Sequence, residues 1–235
     1  MNRFAVTVMA GAIASLSFSL AEAQQGPGQQ GFIPPSQVGQ TPWFSNQDVR
    51  QHFKVSDQQY NQLNKSYGES YGRYQEGMTK FGKDLSAEQR AQKMGELQQG
   101  FNKSFTTSAN EVFIDPQQRQ RYNQLNLQYQ GYNAFTDPMV QEKLNLTTEQ
   151  RQKIGQQGLE WHKQMNELGR TYPTDREGTT RKYNELRTQS GEQINTVLTP
   201  DQQKAWQQMT GEAYPFQPSV YFQTGVKPGS PINRK

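Results

Sequence analysis

The sequence predicts an all-α protein: two tandem long-helix hairpin units with short flanking helices, a disordered N-terminal linker and a flexible C-terminal tail. Three observations predict it. A short helix-start motif recurs five times. Apolar residues at helical spacing follow each start. The second half of the chain repeats the plan of the first. Each start reads as an apolar residue, a capping residue, two variable positions and Gln. The clearest copies are Leu146-Thr147-Thr148-Glu149-Gln150 and Leu198-Thr199-Pro200-Asp201-Gln202. Looser ones are Val55-Ser56-Asp57-Gln58-Gln59, Leu85-Ser86-Ala87-Glu88-Gln89 and Ile114-Asp115-Pro116-Gln117-Gln118. The hydroxyl or carboxylate accepts from a free backbone N–H of the first turn, and the Gln reaches back. Pro116 and Pro200 fall at the first helical position, where a missing N–H costs nothing.

The elements follow in order. Arg3, the apolar run Phe4 to Leu20 and the small-x-small Ala21-Glu22-Ala23 read as an export signal over residues 1–23. Ser15, Ser17 and Ser19 interrupt that run, and it is short for a membrane span of ~20 residues. The mature protein is then expected outside the cytoplasm, periplasmic or otherwise extracytoplasmic, with no stable span. ATP is not generally available there, and no phosphate-cradling glycine loop is present. Residues 24–44 are rich in Gly, Pro and Gln, which predicts a disordered linker.

The first unit covers residues 45–135. Val49 and Phe53 share one face of a short helix from Asn46 to His52. A long helix then carries Tyr60, Leu63, Tyr67, Tyr71, Tyr74, Met78 and Phe81 in steps of three or four, close to a heptad seam. Gly82 to Asp84 turns the chain. Ser86 starts the return helix with Met94, Leu97, Phe101, Phe105, Ser108 and Val112. Asp115 starts a third helix with Tyr122, Leu125 and Tyr129 inward.

The second unit, 136–213, repeats this. Val140 and Leu144 match Val49 and Phe53 at an offset of 91 (140 − 49 and 144 − 53). Thr147 starts a long helix with Ile154, Gly158, Trp161, Met165, Leu168 and Tyr172. Tyr172-Pro173-Thr174-Asp175 breaks it. The return helix carries Tyr183, Leu186, Ser190, Ile194 and Val197, with Lys182 to Leu186 set against Lys93 to Leu97. Leu198 is set against Ile114, an offset of 84 (198 − 114), so the first unit is longer by seven residues (91 − 84), two helical turns that keep the seam in phase. Residues 214–235, with Tyr214, Phe216, Tyr221 and Phe222 among prolines, read as a tail that either folds back or stays mobile.

Composition narrows the chemistry. Hydrophobic residues are 31%, low beside the roughly 45–50% of an average domain counted with glycine, so a thin core between long helices is expected. The charge of +4 comes without a long block of one sign, which argues against nucleic acid. Without cysteine there are no disulfides, thiolate metal sites or Cys nucleophiles. His52 and His162 lack partners at metal-ligand spacing, and no Ser sits in a nucleophile elbow. Carboxylates are scattered beside Lys and Arg as solvated helix pairs. The expectation is no enzyme, no cofactor and no metal. Gly68, Gly72, Gly95, Gly100, Gly155, Gly158 and Gly191 fall inside helices, where each costs up to about 1 kcal/mol against Ala. They mark either close helix approach or a pliable surface.

The two clear L-T-x-x-Q starts, on an exported, cysteine-free, Gln-rich helical chain, resemble the LTxxQ-motif (Spy/CpxP-like) periplasmic stress proteins, over roughly Asn46 to Met209. The resemblance implies a long-helix hairpin, dimerisation into a concave cradle and ATP-independent holding of unfolded clients. Some members instead restrain an envelope-stress sensor kinase, and some relatives bind metal through histidines. This chain departs from the pattern. It has two units in tandem, so one chain imitates the family's dimer or forms a homodimer. It has no His-rich segment, and its first unit carries degenerate starts. A holdase-type chaperone predicts an exposed aromatic and basic surface. The candidates are Tyr67, Tyr71, Tyr74, Phe101, Phe105, Trp161 and Met165 with Lys65, Arg73, Lys103 and Lys163. The alternative is a structural or regulatory envelope protein with one dedicated partner. A small-ligand site between the hairpins is a further option. If the stripes bury one another, the binding surface must lie elsewhere, with the two Pro/Gly/Gln-rich terminal segments as the candidates.

Overall fold

A computed structural model of the protein describes residues 42–82 and 85–222. The expected export signal over residues 1–23, residues 24–41 of the expected linker, residues 83–84 of the expected turn and the end of the expected tail lie outside the described residues. Among the described residues every regular element is a helix. A 3-10 turn at Trp43–Ser45 leads into α1 (Gln47–Phe53). The first hairpin is α2 (Asp57–Thr79) and α3 (Ala87–Val112), and α4 (Pro116–Gln130) leaves it. A second 3-10 turn, Gly131–Thr136, opens the second unit with α5 (Pro138–Lys143). The hairpin α6 (Thr148–Thr171) and α7 (Arg176–Val197) follows, then α8 (Pro200–Thr210) and a short α9 (Pro218–Tyr221). No described helix is long and apolar enough to cross a membrane.

The starts act as the capping chemistry requires. Ser56, Ser86, Thr147 and Thr199 each accept from the backbone N–H three residues on, and each Gln returns a bond to the cap N–H. Asp115 accepts from the Gln118 N–H at 2.7 Å, but the Gln118 amide does not return. It goes elsewhere, because the starts within a unit face each other. Gln59 Nε2 donates to Gln118 Oε1 at 2.8 Å, and Gln118 Nε2 donates to the Lys54 carbonyl at 3.3 Å. In the second unit Gln150 Nε2 donates to the Val197 carbonyl at 2.9 Å and to Gln202 Oε1 at 2.6 Å. Gln202 Nε2 reaches the carbonyls of Leu144 at 3.0 Å and Asn145 at 3.3 Å. Lys54 and Asn145, at φ 55° and 48°, are the left-handed residues that end α1 and its counterpart α5. Each glutamine pair therefore clasps two helix starts and, through one member, the end of the short helix.

Cap positions give the register between units. Asn46 and Asp137, Lys54 and Asn145, and Ser56 and Thr147 are each 91 apart (137 − 46, 145 − 54, 147 − 56). The helix ends Phe113 and Leu198 are 85 apart, whereas the next caps, Asp115 and Thr199, are 84 apart. This corrects the pairing of Leu198 with Ile114 and of Lys182–Leu186 with Lys93–Leu97. Phe113, fully buried, is the counterpart of buried Leu198. Ile114 is one extra residue and is 84% exposed. Of the seven additional residues in the first unit, six lie in the hairpin (91 − 85) and the seventh is Ile114.

The main core gathers Trp43 and Phe44, α1, the proximal halves of α2 and α3, and α4. Phe44 stacks on Phe105 at 5.7 Å and meets Tyr67 edge-on at 6.2 Å. Trp43 and Phe44 thus belong to the fold and not to the linker: two large aromatic side chains outweigh the polar composition that precedes them. Residues 214–222 also correct the expected tail. Phe216 and Val220 are buried, and Tyr221 stacks on Tyr129 at 5.0 Å. This strap lies across the first unit's base and α7. Two smaller clusters complete the second unit, one around Phe135, Ile154 and Leu198, the other around Met165, Leu168, Tyr183 and Leu186. The units meet where α4 packs on α8, while Gly131–Thr136 packs on α6 within the second unit.

Candidate protein-binding surface

The predicted surface residues divide by burial. Tyr67, Phe101, Phe105 and Met165 are buried. Tyr67 meets Phe101 and Phe105 edge-on at 5.3 and 5.2 Å. These residues are core, because the α2 and α3 stripes face each other and Phe44 closes them from the side. Trp161 is half-buried against Tyr132 at 6.1 Å. Tyr71 and Tyr74 are half-buried and stack in series at 6.4 Å. Burial raises the Tyr74 phenol above its usual pKa, and Tyr71 beside it adds to the effect. Lys65, Lys103 and Lys163 are exposed, and Lys65 lies 4.0 Å from Glu69. Arg73 serves the hairpin itself. Its guanidinium donates to Ser104 Oγ and, at 3.1 Å, to Ser70 Oγ, and the two hydroxyls lie 3.1 Å apart.

Ser70 and Ser104 mark a change along the first hairpin. Beyond them, on α2 after Ser70 and on α3 before Phe101, none of the described residues is buried. Tyr71, Tyr74, Met78, Phe81, Leu85, Met94 and Leu97 are all half-exposed there. Among the described residues only two helices meet in this half, and one layer of side chains between two helices is not enough to close it from water. At Gly77 the helices approach so closely that an added Cβ would strike the Leu97 methyls. Gly72, Gly95 and Gly100 have open space where a Cβ would be. Those three are not packing glycines, and they leave both helices of the distal half less rigid.

The second hairpin is different. His162, Met165, Leu168, Thr179, Tyr183 and Leu186 are buried along it. The strap is one reason: Tyr221 lies 5.5 Å from Tyr183, and Phe222 lies 5.4 Å from Tyr172. His162 Nε2 pairs with Asn133 Oδ1 at 3.0 Å, and burial pulls the imidazole pKa down to about 4. His52 lies against Tyr214 at 4.8 Å, so the two histidines serve different units. Among the described residues no group of three or more His, Asp or Glu side chains is placed to hold a metal ion.

No protein-family model, curated protein or solved structure matches the chain. The functional reading therefore rests on the geometry above. Sequence periodicity found the residues that pack between α2 and α3. It did not find the boundary at Ser70 and Ser104, which a pair of small polar residues on two facing stripes could have signalled.

Proposed function

We propose that the protein is exported and binds unfolded or partner polypeptides without ATP, through the distal half of the α2–α3 hairpin. One observation carries this reading. The half-buried Tyr71, Tyr74, Met78, Phe81, Leu85, Met94 and Leu97 share the distal half of the longer hairpin, and among the described residues no third layer buries them. Methionine and aromatic side chains adapt to many apolar partners. Three glycines with open space around them suit a surface that adjusts to its client. The resemblance to the LTxxQ-motif stress proteins points the same way. It supplies the extracytoplasmic setting, in which binding without nucleotide hydrolysis is the workable mode.

The test uses the chain from Gln24, added without ATP to a chemically unfolded client while light scattering is recorded. Suppression at near-stoichiometric ratio is expected. Replacing Met78 and Met94 by Glu should weaken it at least about tenfold in the concentration required, as charge on an apolar contact surface does. No suppression across several clients and salt conditions would remove the chaperone reading. Crosslinking for one dedicated envelope partner, through the same residues, would then be the next step.

A further inference from the structure

The two hairpins are built alike but covered unequally. Counting back from the matched helix ends, Gln98 stands where Tyr183 does (113 − 98 and 198 − 183), and Asn102 where Arg187 does (113 − 102 and 198 − 187). Counting on from the matched caps, Met78 and Phe81 stand where Gly169 and Tyr172 do (169 − 78 and 172 − 81). On the second hairpin these positions hold the strap. Arg187 Nη1 donates to the Phe216 carbonyl at 3.4 Å, and Tyr221 lies against Tyr183 at 5.5 Å. The Phe222 ring approaches to 3.3 Å of where a Cβ on Gly169 would sit, and lies 5.4 Å from Tyr172. On the first hairpin, Met78, Phe81 and Gln98 are left half-exposed.

Three features say what fits there. Gln98 Oε1 is buried without a hydrogen-bond partner, while Gln98 Nε2 donates to Asn102 Oδ1 at 3.1 Å. Turned outward, the half-buried Gln98 amide would meet a peptide backbone N–H with that oxygen, and Asn102, the counterpart of Arg187, stands beside it. The cleft beside Gln98 and Phe101 is also lined by Trp43 and Tyr129, the residues on which the strap itself rests. It is therefore continuous with a seat that already holds an aromatic peptide. Finally, Tyr214–Phe222 carries no charge, whereas in sequence residues 71–100 carry Arg73, Lys80, Lys83, Arg90 and Lys93 against Glu76, Asp84, Glu88 and Glu96, a basic excess of one (5 − 4). That excess favours acidic flanks on a ligand.

We infer that this face of the α2–α3 hairpin is a peptide groove whose ligand is an extended segment of another polypeptide with the strap's chemistry: aromatic residues spaced by proline, with acidic flanks. The inference deepens the proposed protein-binding role and rests on it. The strap stays on its own hairpin because a tethered segment outcompetes a free one. An added peptide therefore meets the open face.

The probe is a fluorescent synthetic peptide of residues 212–222, which keeps Glu212 as the acidic flank. It is titrated with the chain from Gln24 and read by anisotropy. Saturable binding is expected, weakened at least about tenfold by Met78→Glu and by the gentler Phe81→Ser, with helicity checked by circular dichroism. Tyr172→Glu, on the strap's own seat, should leave it unchanged. Three results overturn the inference: no saturable binding, loss through Tyr172→Glu instead of Met78→Glu, or binding only after residues 24–41 are removed. The last would assign the groove to the chain's own N-terminal segment. Aggregation suppression, measured on the same samples, separates the two readings. Suppression lost through Met78→Glu, without peptide binding, removes the groove's proposed ligand and keeps the protein-binding role. Peptide binding without suppression does the reverse.

Discussion

Phe113 and Ile114 are adjacent, apolar and next to a helix start, yet one is fully buried and the other is 84% exposed. Phe113 sits against Phe53 at 5.1 Å and Tyr122 at 4.9 Å. Truncating it to Ala should lower the unfolding free energy by about 3–4 kcal/mol through the lost burial and the cavity left behind. Ile114→Ser should change it by less than about 0.5 kcal/mol. Urea titrations of both variants check the assignment of Ile114 as the extra residue, and a large loss at Ile114 would refute it. A second residue-scale effect concerns His162. Its folded pKa of about 4 lies below the ordinary 6.5 because burial disfavours the cation. Between these values the unfolded chain binds the proton and the native chain does not. The stability is complete above pH 6.5 and is lost as pH falls toward 4, by about 2–3 kcal/mol. His162→Gln, with an amide in place of the imidazole, should flatten that part of the stability profile measured by denaturant midpoints from pH 7 to pH 4. Neither point was visible in a list of letters. The Ile-Asp-Pro copy of the motif looks like Leu-Thr-Pro, and periodicity cannot show that one unit inserts a residue. An isolated His likewise gives no sign of the Asn it will meet 29 positions away.

At the scale of elements the sequence was more informative, because capping is local chemistry. Every start has its cap within three residues, and the alternating steps of three and four define the inward faces of α2, α3, α6 and α7 without tertiary knowledge. What locality cannot supply is pairing. Each glutamine reads as a partner for its own cap, and at Gln59, Gln150 and Gln202 the Oε1 does accept from the cap N–H, which leaves the Nε2 donors to reach across the unit. Gln59 and Gln118 meet over 59 residues, and Gln150 and Gln202 over 52. The motif therefore has a tertiary role at each base: it ties the start of the long helix to the start of the helix after the hairpin. The clasp is partly buried, so removing one member leaves amide and carbonyl groups without partners. Gln202→Ala should cost about 2 kcal/mol, and Gln150→Ala a similar amount. The double substitution should cost clearly less than the sum, since both changes disrupt the same bonds. Thermal unfolding of the three variants provides the cycle, and strict additivity would show that the two glutamines act only on their own caps.

For the whole molecule, internal duplication was legible and its consequence was not. Two similar units suggested a chain that imitates a dimer. The coverage of the units breaks that symmetry, because a single C-terminal strap can serve only one of two equivalent faces. The strap has no helical period, and its prolines and aromatics gave no direction, so only the fold reveals that Phe216 belongs to the base of the first unit. The same ring joins the units. It lies 6.0 Å from Trp43 and 5.8 Å from Tyr129 on one side, and the Arg187 guanidinium of the second hairpin lies 5.8 Å from its centre on the other. If this contact is a main coupling between units, unfolding of the intact chain is one cooperative transition, with circular dichroism and tryptophan fluorescence coincident. Phe216→Ala should lower the midpoint, by about 3–5 kcal/mol in stability at a fully buried Phe. It should also separate the two probes, because the second unit retains Trp161 and Trp206 while the first loses the cover on Trp43. Leu168→Ala, deep in the second hairpin and away from that contact, should lower stability while leaving the probes together. Coincident transitions in Phe216→Ala would mean that the α4–α8 packing alone couples the units, and that the strap acts only as a cover for α7.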